Sequence, residues 1–338
     1  MRVAVVGATG YAGLELLRLM ASHEHLEVVL ATGESNAGRR VRDLAPALAA
    51  LYPSMVFAPT DEVFSSDAEV VFLALPHGHS QRYVGALRAR GVAVVDLGAD
   101  FRLEDAQVFE QWYGEQHQAA DLLGAAVYGL VERHRVELAG SSFIAVPGCF
   151  PTAAALALGP FVDADVIERT GVVINALSGA SGAGRSPSER LHYPRLAGNA
   201  EAYGLLRHRH TPEIQQELQA EVLFTPHLVA SSRGMLVTAY ARVRDRTLTS
   251  DSALGLLRTA YAYDPCIVVV EEPPTLKDPV GSNLCYVSAR VDERTGWLIA
   301  MSSIDNLIKG AAGQALQAWN VACGLDERTG LPMSGVTP

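Results

Sequence analysis

One cysteine, Cys149, lies between a turn and the start of an apolar helix, where a thiolate is favoured. Pro147 and Gly148 predict a sharp turn before it. Pro151 suits the first turn of a helix, and Ala153–Leu158 continues it. Amide groups at a helix start lack intrahelical partners, and the helix dipole is positive there, so a thiolate is stabilised. We interpret Cys149 as a candidate nucleophile. A small buried core residue is the alternative, because free cysteines are often buried.

Two histidines lie just before a second predicted helix. Thr211 as the cap and Pro212 at the first helical position predict a helix that runs to about Ala220. The partial positive charge at its start disfavours imidazolium at His210, so this ring stays available as the neutral base that thiol chemistry needs. His208, two residues earlier, is the alternative base, and the sequence leaves the choice between the two rings open.

The elements that would position these groups begin with a strand, a glycine turn and a helix at the amino terminus. An apolar strand over Val3–Val6 is followed by three glycines in the spacing G-x-x-G-x-x-G, and a second apolar strand follows over Leu26–Ala31. This order is typical of a dinucleotide-binding unit, in which small residues let the backbone approach a pyrophosphate. The predicted cofactor contacts in this turn are Gly7, Thr9, Gly10, Tyr11 and Gly13.

Residues after the second strand should face the adenosine ribose and select the cofactor. Glu34 could bind a free 2′-hydroxyl, whereas Ser35, Asn36, Arg39 and Arg40 offer donors to a 2′-phosphate. This balance favours NADP, with Ser35 and Arg39 as contacts. Ordinary solvated loop charges are the alternative interpretation of the two arginines.

Two further strands end in polar loops at the edge of the sheet where ligands collect. Apolar runs at Ala68–Leu75 and Val92–Leu97 predict these strands. Pro76 and His77 follow the first and are predicted cofactor contacts, and His77 and His79 could border the nicotinamide. A hydrogen-bonded surface group is the alternative role for these histidines. Arg102 follows the second, and its guanidinium could bind a phosphate or carboxylate bidentately. An ion pair with a neighbouring acidic residue, Asp100 or Glu104, is the alternative role for Arg102.

The second half predicts an α+β domain with a mixed, largely antiparallel sheet. Strand-like runs occur at 172–177, 235–243, 267–270 and 286–291, and the segment from Ile304 to Leu316 has a helical period. A glycine- and serine-rich loop opens at Ser178 and could approach a small polar substrate closely, and a flexible surface loop is the alternative interpretation. The fold class is therefore α/β, with a Rossmann-type parallel-sheet domain followed by the α+β domain.

Composition narrows the functional classes. The 338 residues carry a net charge of -10 with no basic stripe, so a nucleic-acid partner is not expected. No apolar run is long enough for a bilayer, and the chain opens directly with a strand, so we expect a cytoplasmic protein with no membrane partner. The four cysteines lack metal-ligand spacing, so neither a metal site nor a disulfide framework is expected.

Taken in order along nearly the whole chain, these segments resemble the N-acetyl-gamma-glutamyl-phosphate reductases, relatives of aspartate-semialdehyde dehydrogenase. The resemblance rests on Gly7–Gly13, Ser35–Arg40, Leu75–Gly78, Asp96–Leu103, Pro147–Ala153, Ser178–Arg185, His208–Ile214, Ser232–Leu236, Gly281–Asn283 and Ile304–Ala315. The chain departs from the family pattern in three places: Phe150 replaces a usual tyrosine, Gly98 replaces a usual serine, and Leu205-Leu206 occupies a stretch where a glycine commonly precedes the histidines. The last departure bears on the loop near Tyr203.

The resemblance implies NADPH-dependent reduction of N-acetyl-L-glutamyl 5-phosphate, a small-molecule acyl phosphate, in arginine biosynthesis. It implies that Cys149 is the nucleophile, that His210 is the base and that Arg102 holds the acyl phosphate. It further implies a nucleotide domain over 1–148 joined by a terminal helix at 304–338, a catalytic domain over 149–303, and a homodimer or homotetramer. Besides the residues already named, the implied cofactor contacts are Ser178, Gly179, Gly182 and Asn306, and the implied substrate contacts are Ser178, Gly179, His208 and Glu213.

Two other functions stay open on the sequence alone. A sister reductase would act on aminoadipyl or glutamyl phosphate attached to a carrier protein, with the same chemistry. A catalytically silent protein that senses NADP is the alternative of another class, and the pairing of Cys149 with His210 argues against it.

Overall fold

A computed structural model of the chain describes residues 1–336 and divides them into two compact units. The first unit comprises Met1–Pro147 and Ala311–Leu331, and the second comprises Gly148–Gly310 with the described residues from Pro332 onward.

The strands and helices are numbered in chain order. The strands are β1 (Arg2–Val6), β2 (Glu27–Ala31), β3 (Val70–Leu73), β4 (Ala93–Asp96), β5 (Val127–Tyr128), β6 (Phe143–Ala145), β7 (Val172–Gly179), β8 (Ala200–Ala202), β9 (Val222–Val229), β10 (Met235–Arg242), β11 (Ile267–Val269), β12 (Cys285–Asp292) and β13 (Trp297–Ile304). The helices are α1 (Tyr11–Met20), α2 (Val41–Leu44), α3 (Gln81–Ala89), α4 (Ala106–Tyr113), α5 (Val131–Leu138), α6 (Cys149–Asp163), α7 (Tyr193–Leu196), α8 (His210–Leu218), α9 (Ser250–Ala260) and α10 (Gly313–Ala322).

The first unit is built on a parallel sheet in the order β2-β1-β3-β4-β6-β5. Its central strands β3 and β4 are buried along their whole length, as expected for strands covered on both faces. The predicted strands at the amino terminus, after α1, and at β3 and β4 are confirmed, each with somewhat different bounds than predicted. In a parallel sheet the carboxyl ends of neighbouring strands meet at one edge, so the loops after β1, β3 and β4 lie together.

The second unit holds a mixed sheet in the order β11-β12-β13-β10-β7-β9-β8, in which β11–β12 and β7–β9 are parallel and the other neighbours are antiparallel. One face is apolar, because alternate residues of β7 and β10 are buried. Helix α6 packs against β10 and β13 across this face, and the Ser302 hydroxyl donates to the Ala153 carbonyl at 2.6 Å. The predicted fold class, including the largely antiparallel second sheet, is confirmed.

Two predicted boundaries in the second unit are wrong. Ser178 and Gly179 are the last residues of β7 rather than the start of a loop, because both align with β9 in the sheet register. The segment after Ile304 is also not helical at its start, since the Asp305 carboxylate accepts from the amides of Leu307 and Ile308 at 2.8 and 3.1 Å and forms a turn there.

The closing helix therefore begins later than predicted. Ile304 is the last residue of β13, a π-turn spans Ile308–Ala312, and α10 ends at Ala322. Within the first unit, α10 packs against α5, and the Gln314 side-chain amide donates to the Gly129 carbonyl at 2.6 Å. Of the segment predicted as a terminal helix, Thr337 and Pro338 lie outside the described residues.

Candidate active site

Cys149 is the first residue of α6, and its position follows from the sequence before it. Gly148 is the helix N-cap with extended backbone angles, φ -67° and ψ 156°, and its carbonyl accepts the first helical hydrogen bond from Thr152 at 2.9 Å. The rest of the helix is buried from Phe150 to Val162, whereas Cys149 is partly exposed. The thiol therefore lies at the positive end of a helix dipole and is open to a ligand.

The backbone at Gly310 approaches the cysteine closely. A methyl group built on the Gly310 Cα would lie 2.7 Å from the Cys149 Cβ and 3.3 Å from its Cα. The Gly310 amide donates to the Asp305 carbonyl at 2.9 Å, which fixes this stretch of backbone. Only a residue without a Cβ fits against Cys149 in this position. The Gly310 backbone, which we call the Gly310 wall, therefore packs directly against Cys149 and helps to position its thiol.

A buried carboxylate ties α8 to the cysteine turn. The Glu213 side chain is 1 % exposed, and its Oε1 accepts from the Gly148 amide at 2.8 Å. His210 lies three residues earlier on α8, so both side chains occupy neighbouring positions on one face of the helix. Glu213 was predicted as a substrate contact, and the structure places its carboxylate on the turn that carries the nucleophile.

The two histidines lie in an aromatic cluster beside the nucleophile, which we define as Phe150, Tyr203, His208, His210 and Phe224. The ring centres of His208 and His210 are 5.0 Å apart, and Phe150 lies 5.5 and 5.8 Å from them. Phe224 lies 5.2 Å from Phe150 and 5.3 Å from His208. Because Phe150 directly follows Cys149, the cluster brings both predicted bases to the nucleophile's helix turn.

His208 has a fixed role in this cluster. Its Nδ1 accepts from the His210 backbone amide at 3.2 Å, so the neutral ring carries its proton on Nε2. Burial, and next the Arg209 charge, lower the pKa of His208 from 6.5 to about 4. The ring is therefore neutral at pH 7, with its proton on Nε2.

The start of α8 differs from the prediction. The helix begins at His210, with Arg209 as its N-cap, rather than after a Thr211 cap. The His210 amide donates to the His208 ring, and the Thr211 amide donates to the His208 carbonyl at 2.9 Å. The helix ends at Leu218, because Gln219 adopts a left-handed conformation with φ 47°.

Tyr203 completes the cluster from the loop before the histidines. Its ring centre lies 5.5 Å from that of His208, so the Leu205-Leu206 departure from the family pattern does not remove it from the site. The turn is made by Gly204 with φ 61° and by Leu206 with φ 60°, a conformation that is strained for leucine. Burial raises the pKa of the Tyr203 phenol, and the nearby Cys149 raises it further.

The end of β7 forms a second predicted part of the site. A methyl group on Gly182 would lie 2.7 Å from the Ser178 hydroxyl oxygen and 3.8 Å from the Asn306 amide nitrogen. Asn306 accepts from the Gly234 amide at 2.9 Å and donates to the Ser181 hydroxyl at 3.0 Å. Ser178, Gly179, Gly182 and Asn306, the cofactor contacts that the resemblance implies in this unit, lie close together.

In the first unit, the glycine turn forms a tight cradle at the start of α1. Gly7 has φ 78°, Gly10 is the N-cap, and a methyl group on Gly13 would lie 2.5 Å from the Gly7 carbonyl oxygen. A side chain at Gly33 would collide with that of Thr9. The backbone at the helix start therefore stays open for a pyrophosphate, and the predicted contacts Thr9 and Tyr11 flank it.

Glu34, Ser35 and Arg39 lie after β2, where the sequence predicts the cofactor ribose. The Glu34 carboxylate accepts from the Thr60 amide at 3.1 Å, and hydrogen bonds from Thr60 lower the pKa of Glu34. Ser35 and Arg39 are exposed, and the Arg39 guanidinium donates to the Asp43 carbonyl at 2.8 Å.

The loop after β3 is held by two buried carboxylates. Asp100 accepts from the amides of Gly78 and Ser80 at 2.6 and 2.9 Å, and Asp96 accepts from the Ser80 hydroxyl at 2.7 Å. Burial, and next the Asp100 charge, raise the pKa of Asp96 from 3.8 to about 7. His77 lies in this loop with its ring centre 5.7 Å from that of Tyr113.

Arg102 is half-buried at the same edge of the sheet. Its Nε donates to the Val146 carbonyl and its Nη2 to the Leu97 carbonyl, both at 2.8 Å. Pro76 lies exposed beside this edge. Val146 is three residues before Cys149 along the chain, so Arg102 is fixed to the segment that leads to the nucleophile.

Comparison with known proteins agrees with this arrangement. The NAD-binding domain model of the semialdehyde dehydrogenases matches residues 2–141, and their dimerisation domain model matches residues 149–306. The chain belongs to the semialdehyde dehydrogenase family. It is 43% identical to an N-acetyl-gamma-glutamyl-phosphate reductase of Symbiobacterium thermophilum, over 99% of this chain and 98% of that protein. It is 41% identical to the protein of that name from Heliobacterium modesticaldum, over 100% of both.

Solved structures share the fold of this semialdehyde dehydrogenase. The aspartate semialdehyde dehydrogenase II from Vibrio cholerae, complexed with ASA, has a TM-score of 0.72 at 17% identity and covers 96% of this chain and 98% of that chain. The Candida albicans enzyme with NADP has a TM-score of 0.68 at 17% identity and covers 95% and 97%.

Two features are absent from the described residues of this semialdehyde dehydrogenase. Over residues 1–336, no helix combines the length and apolar character that a membrane crossing needs. The same part of the chain contains no group of three or more His, Cys, Asp and Glu side chains arranged to hold a metal ion.

Sequence reasoning missed two groups at the site, Gly310 and Asp96, and it did not reveal that Glu213 binds the Gly148 amide. Gly310 lies in a stretch whose small residues signalled close packing, but the partner of that packing was not evident. Asp96 lies within a predicted strand, and Glu213 follows a predicted helix start, yet their burial depends on residues distant in sequence. Long-range contacts of this kind leave no local pattern.

Proposed function

We propose that the chain is an N-acetyl-gamma-glutamyl-phosphate reductase that reduces N-acetyl-L-glutamyl 5-phosphate to the 5-semialdehyde and phosphate in arginine biosynthesis. The observation that carries the proposal is Cys149 at the start of α6, with the turn held by Glu213 and two histidines in contact with Phe150. Full-length relatives at 40% identity and above carry this name.

The first step is acyl transfer to the cysteine. The Cys149 thiolate attacks the carbonyl carbon of the acyl phosphate, a C–S bond forms, and the C–O bond to phosphate breaks with release of inorganic phosphate. Amides at the start of α6 stabilise the negative charge that develops on the carbonyl oxygen. We assign Arg102 to the phosphoryl group, since a guanidinium is suited to bind it. The product is a thioester on Cys149.

The second step releases the aldehyde from the thioester. When bound, NADPH supplies the hydride for this reduction. The C–S bond of the hemithioacetal then breaks, Cys149 leaves as a thiolate, and His210 takes up the hydroxyl proton. We assign this proton to His210 because His208 uses its Nδ1 lone pair on the His210 amide and is already protonated at Nε2.

We propose NADP rather than NAD as the preferred cofactor. Gly7, Gly10 and Gly13 leave room for the pyrophosphate at the start of α1. Glu34 is engaged by Thr60, which leaves Ser35 and Arg39 as the groups beside a 2′-phosphate. Arg39→Ala is expected to raise the KM for NADP about 10-fold or more and to leave the KM for NAD within about twofold. Equal effects on both cofactors would reject this assignment.

We further propose a cytoplasmic homodimer or homotetramer, with a nucleotide domain over 1–148 and 304–338 and a catalytic domain over 149–303. The match of residues 149–306 to a dimerisation domain supports the assembly. Sedimentation equilibrium of the purified chain tests it, and a monomer at micromolar concentration would contradict it.

The activity itself is tested with N-acetylglutamate 5-semialdehyde, phosphate and NADP. Cys149→Ser is expected to abolish phosphate-dependent NADP reduction and to leave NADPH binding unchanged. Cys323→Ser removes another partly exposed thiol and is the matched control, with activity expected to stay at the wild-type level. Comparison with a carrier-bound aldehyde separates the sister reductase, which would turn over only the carrier-bound form.

A further inference from the structure

In the second unit, Arg190 lies beside the aromatic cluster and has two hydrogen-bond donors without an acceptor among the described residues. Arg190 belongs to a short 3₁₀ turn over Glu189–Leu191, and its guanidinium carbon lies 4.7 Å from the centre of the Tyr203 ring. Its Nε and Nη2 atoms are both buried and have no acceptor among the described residues. These two N–H groups point in the same direction and form the edge that binds a carboxylate bidentately.

Buried donors of this kind imply an acceptor that comes from a ligand. A guanidinium stays charged at every physiological pH, so the unpaired edge cannot be relieved by loss of a proton. Burial without a hydrogen bond is costly for any polar group and most costly for a charged one. The stacking on Tyr203 holds the guanidinium plane in place while its Nε–Nη2 edge stays unbonded.

The position of Arg190 connects this edge to the nucleophile. Tyr203 lies 5.5 Å from His208, and His208 lies 5.5 Å from Phe150, which directly follows Cys149. Arg190 is therefore one aromatic side chain removed from the histidines. Burial raises the pKa of the Tyr203 phenol, and the nearby Cys149 raises it further.

We propose that the Nε–Nη2 edge of Arg190 binds the α-carboxylate of the acyl substrate and thereby selects which acyl groups react at Cys149. This inference rests on the proposed function. The proposed substrate has an acyl phosphate at one end and a carboxylate at the other, separated by two methylene groups and the α-carbon. The reacting carbonyl must lie against the Cys149 sulfur. Arg190 is separated from the histidines by the Tyr203 ring, so its position suits the carboxylate at the other end of the substrate.

A matched control is present in the same segment. Arg195 lies five residues further on, is about half exposed, and forms an ion pair with Glu189 at 3.5 Å. Its charge equals that of Arg190, but its guanidinium has a protein partner. Arg195→Gln therefore removes one positive charge from this segment without removing the unpaired edge.

The experiment compares two aldehydes with phosphate and NADP at saturation. One is N-acetylglutamate 5-semialdehyde, and the other is 4-acetamidobutanal, which is the same molecule without the α-carboxylate. Wild type and Arg195→Gln are expected to prefer the first aldehyde in kcat/KM by about 10- to 100-fold, the usual worth of a charge-assisted hydrogen-bond pair. Arg190→Gln is expected to reduce this preference to about twofold or less, mainly through the KM for the aldehyde.

Arg190→Lys provides a second test, because it keeps the positive charge and removes the two parallel N–H donors of the Nε–Nη2 edge. It is expected to restore only part of the preference, since an ammonium binds a carboxylate without the bidentate geometry. The KM for phosphate is expected to stay within about twofold in every variant. Because the preference is a ratio measured on one enzyme preparation, partial unfolding of a variant does not change it.

The outcomes distinguish the Arg190 assignment from the proposed function. If wild type fails to reduce NADP with either aldehyde, the proposed function is wrong. If wild type is active and Arg190→Gln keeps the full preference, only the Arg190 assignment is wrong. A rise in the KM for phosphate rather than for the aldehyde would also overturn it, because the edge would then bind the leaving group.

Discussion

Gly310→Ala tests whether the backbone beside Cys149 positions the thiol. The added methyl group would lie 2.7 Å from the Cys149 Cβ and 3.3 Å from the Ile304 Cδ1. Carbon atoms in contact prefer about 3.5–4.0 Å, so the cysteine must move by about 1 Å. Overpacking of this kind costs about 1–3 kcal/mol of stability. A displacement of about 1 Å at a reacting group lowers turnover by about 100-fold.

The assay is phosphate-dependent NADP reduction with the semialdehyde, together with urea unfolding. We expect kcat to fall by about 30- to 100-fold while NADPH still binds, because the glycine cradle at α1 is unchanged. Gly255→Ala is the matched control: Gly255 lies in α9, and a methyl group added there would meet no neighbouring atom within 4 Å. Alanine there should raise helix stability by about 0.5–1 kcal/mol without effect on kcat.

A Gly310→Ala enzyme with wild-type kcat and unchanged stability would refute the reasoning. It would mean that the start of α6 moves without loss of stability, and that the position of the Cys149 thiol does not depend on the Gly310 wall. Loss of activity together with loss of NADPH binding would point to general unfolding, and the urea measurement distinguishes the two results.

Three further predictions concern the groups around the nucleophile and the cofactor loop. Glu213→Ala leaves the Gly148 amide buried without its acceptor and should lower the free energy of unfolding in urea by about 1–3 kcal/mol, whereas Glu213→Gln keeps an acceptor and should recover most of it. His210→Asn should lower kcat by about 100-fold or more and remove one limb of the pH–rate profile; an unchanged profile would move the role to His208. The raised pKa of Asp96, about 7 against 3.8 in the unfolded chain, means that the folded state takes up the proton. Stability should therefore fall as pH rises from about 4 to 7, and Asp96→Asn should flatten this slope in urea titrations; an unchanged slope would place the source of the pH dependence in another group.

The parts of the site that depend on local sequence were predictable. The glycine turn and the start of α6 follow from residues within a few positions of each other, because turns and caps are made by neighbours in the chain. Strand β9 shows the opposite case. Pro226 in its middle argues against a strand, yet β9 pairs with β7 and β8, and the Pro226 carbonyl accepts from the Tyr203 amide at 3.1 Å.

The contacts that orient the Cys149 nucleophile could not be predicted from neighbouring residues in the sequence. The bond from the Gly148 amide to Glu213 spans 65 positions, and the wall at Gly310 comes from the segment after β13. The pairing of His208 with the His210 amide is local, but the sequence does not reveal which ring nitrogen accepts. Residue types thus indicated the chemistry, and tertiary packing decided which group does which part of it.

The central claim is that Cys149 forms a thioester with the acyl group. Mixing the enzyme with the semialdehyde and NADP in the absence of phosphate tests it, because the acyl group then has no phosphate acceptor. A rapid burst of NADPH is expected, equal to one per active site, with the N-acetylglutamyl mass found on the peptide that contains Cys149. Steady NADPH formation without a burst, or an adduct on another residue, would contradict the account.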